Sequence, residues 1–309
     1  MLEVFLKTLP FFAIIAIGFA AAKSGFFNAE ATAYLTKFIF FFALSAMLFR
    51  FAANLKISEV YNPRLLAGYL WGTAVVYLLA TGVAIWRRLD IPTTAVEAQC
   101  SVIANSGFLG LPMFVLLFGD AAVGPVMMTL TVDLVVFSSL IVILINGARG
   151  GRLNLIMLGG VGLGLIKNPM ILSISLGLAW SALALPIPNV LNDFLTILGG
   201  AATPGALFAI GASLAVKSAE RLEVAGWLAF AKLIMHPLFV AIGVILLFPI
   251  DRFSAIVVVS TAALPVAGNI FMLAQHYGIA VQRVSTAILL STAASIITVP
   301  MVIAWVSAH

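Results

Sequence analysis

Apolar stretches long enough to cross a bilayer follow one another along almost the whole chain, separated by short polar or basic segments. A span takes about 20 mostly apolar residues. Read at that length, the pattern predicts ten helices, five of them at roughly 4–22, 33–52, 65–86, 94–118 and 122–146. The other five fall at roughly 166–185, 192–215, 224–248, 253–276 and 282–306. No stretch reads as a soluble domain or a disordered linker. The longest polar connector, NGARGGRLN from Asn146 to Asn154, lies at the midpoint. Five helices per half is an odd number, so a repeat of the first half in the second would run with inverted topology.

Two of these stretches are interrupted, each the fourth of its half. ANSGFLGLPMF (Ala104 to Phe114) carries Asn105, Ser106, Gly107, Gly110 and Pro112; ALPVAGNIFMLAQHYG (Ala263 to Gly278) carries Pro265, Gly268 and Asn269. Such residues are tolerated in lipid only where a cavity or neighbouring protein satisfies the freed backbone groups. Kinks in two packed helices are the plain alternative, but paired interruptions at corresponding positions point to a transporter binding site. Proline is favoured in the first turn of a helix, so Pro112 and Pro265 are each expected to start a second half-helix near mid-membrane. The N–H groups at such starts suit a carboxylate. Asn105 and Asn269 add donors and acceptors, and Gly107, Gly110 and Gly268 allow close approach.

Composition bears this out. Of 309 residues, 63% are hydrophobic and only 9% charged, against about 25% charged in soluble domains, and the mean hydropathy is +1.20. The net charge of +5 therefore belongs to connectors between spans and not to a nucleic-acid surface. Counting Lys and Arg alone, one side holds Lys7, Arg50, Lys56, Arg64 and Arg252. The other holds Lys23, Lys37, Arg87, Arg88, Arg149, Arg152, Lys167, Lys217, Arg221, Lys232 and Arg283. The positive-inside bias puts both termini outside and the central connector in the cytoplasm. The N-terminal stretch follows Glu3 and lacks a small-residue cleavage pattern, so it reads as a retained helix and not a signal peptide.

Chemistry-bearing residues are few. Cys100 has no metal-ligand partners at suitable spacing and reads as packing; no metal or cofactor is expected. No G-x-x-x-x-G-K-[ST] loop is present, which excludes ATP as a direct energy source. Asp133, near the middle of its span, either couples or gates ion movement or forms a structural pair. Lys232 and His236 share a helix face. Lys232 either joins that chemistry or snorkels to the surface, and His236 either binds a proton or packs at the kink before Pro237. Glu97 reads as favouring a helix N-terminus at the membrane surface. Gln275 and His276 either line an exit or cap the interface. In TPGALFAIGASLA (Thr203 to Ala215), Gly205, Gly211 and Ala212 fit close helix packing, and Pro204 offers a point of unwinding. Ser213 with His236 or His276 could be imagined as an intramembrane hydrolase, but that leaves the paired breaks unexplained. A passive anion channel is the remaining alternative to a carrier.

The segments NSGFLGLP, LPVAGNIFMLAQHYG and TPGALFAIGASLA resemble the auxin efflux carrier family, which includes plant PIN-type carriers and bacterial malonate and malate permeases. The resemblance covers the whole chain. It implies an all-α integral membrane fold of ten helices in two inverted five-helix repeats, 1–148 and 149–309, with broken helices 4 and 9 crossing. Spans 1, 2, 6 and 7 would form a scaffold, with homodimer contacts, and spans 3–5 and 8–10 a transport domain. The crossover roles of the family fall on Asn105, Pro112, Pro265 and Asn269. A small organic anion is the implied substrate, a proton or sodium ion the coupling partner, and the lipid bilayer the surroundings. The short central connector lacks the long loop of many plant members and favours a bacterial inner-membrane carrier.

Overall fold

The computed structural model describes residues 2–55, 62–150, 162–163, 166–216 and 222–308. The cations Lys56, Arg152, Lys217 and Arg221, and residues 151–154 of the central connector, lie outside them. The fold is all-helical: α1 Leu2–Lys23, α2 Ala29–Asn54, α3 Pro63–Trp86, α4 Ile91–Val102, α5 Ser106–Phe118 and α6 Asp120–Ala148. After these come α7 Pro169–Ala182, α8 Asn189–Ala215, α9 Leu222–Leu247, α10 Arg252–Ala262, α11 Gly268–Tyr277 and α12 Val281–Ala308.

Among the described residues, seven helices are long and apolar enough to cross a membrane, and the chain is an integral membrane protein. The three remaining expected spans appear as shorter pieces. Two are the interrupted stretches, now α4 with α5 and α10 with α11. The third is α7, whose 14 residues rise only about 21 Å at 1.5 Å each.

Five helix starts that follow connectors are capped by a side chain. Asn28, Asn62, Asp90, Asn168 and Asp251 each accept backbone N–H groups from the first turn of the helix that follows, satisfying donors that have no intrahelical partner.

Two groups of close helix contacts stand out, joined by contacts of α1 with α12 and of α8 with α5. α1 lies on α8, and α2 on α7 and α8. A side chain at Gly18 would collide with the Phe208 carbonyl, and one at Gly211 with the Ile15 carbonyl. The two backbones therefore touch, as small residues permit in membranes. Gly205 packs against Ile39 in the same way, so the packing expectation for this segment holds. The irregularity expected at Pro204 appears earlier, at Ala201 just after Gly200, whose carbonyl, four residues before the proline, is the one its ring crowds. In the second group α3 packs on α4 and α9, α9 on α10 and α12, and α6 on α10.

Wide, five-residue turns interrupt several helices, and two have a visible cause. Pro112 follows the turn Ser106–Gly110, and Pro237 follows Ala231–Met235. Proline cannot donate to the carbonyl four residues back, so the preceding residue reaches back five: Leu111 N–H to Ser106 O, and His236 N–H to Ala231 O.

Candidate substrate site at the helix crossover

The two interruptions meet. Residues 103–105 and 265–267 pair as a short antiparallel bridge between Ala104 and Val266. Asn105 N–H donates to the Pro265 carbonyl at 2.9 Å, and Ala267 N–H to the Ile103 carbonyl at 3.1 Å. Backbone groups freed by breaking one helix are thus satisfied by the other. A further amide of the bridge turns to a side chain: Val266 N–H donates to Ser291 Oγ at 3.1 Å.

From this bridge α5 and α11 set off, and their starts differ from the five capped ones. Neither has a side-chain cap. Uncapped first-turn donors in a buried place are a ready anion site. The space beside them is a crevice lined by Asn105, Gly107, Asp133, Gly268 and Asn269, with Met170 of α7 closing one side. Asn269 Oδ1 and Asp133 Oδ2 have no partner among the described residues. The crevice holds about 20 Å³ of free space, which is room for a water but not for a carboxylic acid. The site is closed around its donors.

The structure alters the expected role of the prolines. Pro265 sits inside the break, three residues ahead of α11, and supplies a carbonyl to the bridge. Pro112 lies seven residues beyond Asn105, in the second turn of a half-helix that has already begun. Half-helix α5 starts at Ser106 because tertiary pairing at Ala104, not the proline, ends α4. Ser106 is buried with its Oγ unpartnered but does not line the crevice.

A second polar cluster adjoins the first. Tyr69 Oη donates to Asp133 Oδ1 at 2.9 Å, and both Asp133 and Lys232 begin or lie within wide turns, a feature frequent at functional sites. Lys232 is 0% exposed, so it does not snorkel: its ammonium donates to the Ala262 carbonyl at 2.5 Å, at the end of α10. It also lies 3.1 Å from His236 Nδ1. Thr73 Oγ1 donates its one proton to the Tyr69 carbonyl at 2.7 Å and sits 3.0 Å from His236 Nε2. That assigns the proton to Nε2, leaving Nδ1 to accept from Lys232. Asp133, Lys232 and His236 are therefore brought to one place.

Tyr69 and Thr73 were not singled out by the sequence reading, although their four-residue spacing beside Gly68 and Gly72 marks one polar, small-residue face of an apolar helix. Glu97 needs correction. It is 2% exposed and bridges Arg87 Nη1 at 2.7 Å and Arg283 Nη1 at 2.5 Å. It ties α3, α4 and α12 together from beyond the first turn of α4, so it is an internal ion-pair partner and not a helix-start residue. Gln275 and His276 are exposed in the last turn of α11, outside the crevice, and Cys100 is buried packing.

Comparison with known proteins agrees with this architecture. The sequence profile of the family described as "Membrane transport protein" matches residues 3–303. The chain is 28% identical over 302 residues to a "Putative malonate transporter" of Rhizobium meliloti, covering 97% of this chain and 94% of the relative. It is 21% identical over 338 residues to "Auxin efflux carrier component 5" of Arabidopsis thaliana, covering 97% and 95%. An "Uncharacterized transporter" of Methanothermobacter thermautotrophicus is 26% identical over 302 residues, with 93% of each covered. With a bridged pair of broken helices at its centre and a family match over nearly its full length, the chain belongs to the membrane transport proteins of the auxin efflux carrier family.

Proposed function

We propose that the protein is a secondary active carrier of a small carboxylate, binding it at the crossover and exposing it to each side of the membrane in turn. The observation that carries this reading is the pair of uncapped helix starts, α5 and α11, facing one crevice with Asn105 and Asn269. A carboxylate there would receive backbone N–H groups and side-chain amides without needing a buried cation. The similarity to a relative named for malonate supports a short dicarboxylate.

On this reading α4 with α5, and α10 with α11, are single broken spans, giving ten in two inverted repeats, 1–148 and 149–309. Exchanging the halves relates α1 on α8 to α7 on α2, α3 on α4 to α9 on α10, and α6 on α10 to α12 on α4; all six pairs pack together. Spans α1, α2, α7 and α8 act as the fixed frame, and the rest as the moving part. The closed crevice supports movement as a condition of entry. Asp133, with one oxygen free, is the group that takes up the coupling proton or sodium ion, while Lys232 holds the carbonyl end of α10. Both termini face outwards from a bacterial inner membrane, following the Lys and Arg distribution.

The test is uptake by purified protein in sealed vesicles, with labelled malonate, malate and a monocarboxylate, under imposed proton or sodium gradients. Accumulation above equilibrium under one gradient is expected. Fast flux that only equalises concentrations would replace the carrier with a channel.

A further inference from the structure

A second cavity, of about 360 Å³, lies away from the crossover and is lined by Arg50, Asn54, Asp120 and Asn192. That is within the size of small-molecule pockets, about 300–1,000 Å³. Arg50 and Asn54 lie at the end of α2, Asn192 on α8, and Asp120 at the start of α6. The cavity therefore sits where the α1, α2, α7 and α8 group meets the helices that carry the crossover. Asp120 directly follows Gly119, whose φ of 77° ends α5, so one wall is continuous with the half-helix that starts at the substrate site.

Arg50 is prepared for an anion. Its Nε donates to Asn192 Oδ1 at 3.2 Å, and its guanidinium carbon lies 6.0 Å from the centre of the Phe51 ring. These contacts orient the fork while, among the described residues, only one of its three nitrogens makes a hydrogen bond. Among the described residues no ion pair joins Arg50 to Asp120, although both line the same space. Two Nη groups held in a fixed plane match the two oxygens of a carboxylate. A lysine would offer a point charge without that geometry.

We propose that this cavity is a carboxylate-capture site at the outer mouth, in which Arg50 binds an incoming anion before the crossover receives it. The proposal rests on the carrier reading for the anion's destination and on the proposed orientation for the side it faces, but on neither for its binding. Asp120, which lines the same cavity, is a competing negative charge that sets a preference for small anions and limits their residence. Asn192 is a positioning residue that acts through Arg50.

The sole native cysteine, Cys100, is buried, so a thiol introduced at exposed Asn54 can be read against a low background. In intact cells Asn54→Cys should react with a membrane-impermeant thiol reagent, and external malonate at about ten times its dissociation constant should slow that reaction about tenfold. Uncharged malonamide should not slow it. Adding Arg50→Gln should abolish the protection, Arg50→Lys should restore part of it, and Asp120→Asn should lower the malonate concentration required. The readout needs no transport, so it separates failure of capture from failure of the carrier reading. Equal labelling with and without malonate, or protection that survives Arg50→Gln, overturns the proposal.

Discussion

The Lys232 ammonium reaches the Ala262 carbonyl at 2.5 Å, so α10 ends on a cation carried by α9, next to the bridge that joins the two breaks. Asp133, the acid of the same neighbourhood, is held by Tyr69 from α3. A buried acid and a buried base on separate helices should depend on each other. They make no direct ion pair among the described residues, but leaving either buried charge without the other nearby costs free energy of the same sign as breaking a buried pair. Lys232→Met and Asp133→Asn should each lower the melting temperature in detergent, and the double variant should regain most of the loss. Additive losses in that cycle would mean that the two groups are energetically independent.

Coupling is a separate matter from stability. Asp133→Asn, once folded in vesicles, should exchange internal for external substrate but fail to accumulate it against a gradient. Wild-type accumulation would confine Asp133 to a structural role.

At the crossover, Asn105→Ala and Asn269→Ala each remove an amide from the wall of the crevice. A hydrogen bond to a charged group is worth about 1.5–3 kcal/mol, or roughly ten- to a hundredfold in affinity at 1.4 kcal/mol per decade. Each variant should raise the apparent dissociation constant for malonate by that factor while melting like the parent. Unchanged affinity in both, measured on folded protein, would take the crossover out of the binding site.

The prolines should now part company. Pro265→Ala alters the backbone that pairs with Asn105 and should reduce transport at every substrate concentration. Pro112→Ala only restores a regular turn beyond the break and should be mild. Equal effects would mean that the two residues share one function after all.

Glu97→Gln leaves Arg87 and Arg283 facing each other without their shared carboxylate. A loss of about 3 kcal/mol is expected from breaking so buried a pair, visible as a lower melting temperature with little change in substrate affinity. A large affinity change without destabilisation would assign Glu97 to the transport path instead.

The degree to which the site could be read in advance varied with the range of the interactions involved. The breaks themselves were legible because Pro, Gly and Asn stand out in an apolar run, and Asp133 because a mid-span acid is rare. What ends α4 was not legible: Ala104 is an ordinary residue until Val266, 162 positions later by its numbering, pairs with it. The same applies to Glu97, whose second arginine is 186 residues away, and to Lys232. Its choice between surface and interior is decided by the Ala262 carbonyl on another helix. Helical faces can be seen from one segment, whereas a partner contributed by a distant one cannot.

The bridge between Ala104 and Val266 also constrains how the molecule can work. Pulling the two broken helices apart would strand the amides of Asn105 and Ala267 and the carbonyls of Pro265 and Ile103 in apolar surroundings, and each unsatisfied group in such a place costs several kcal/mol. The tips are stitched together more firmly than thermal motion can undo, so neither can lead while the other waits. Whatever sway opens the crevice to one face must carry both half-sites as one axle, and the clearance must come from the surfaces sliding past it.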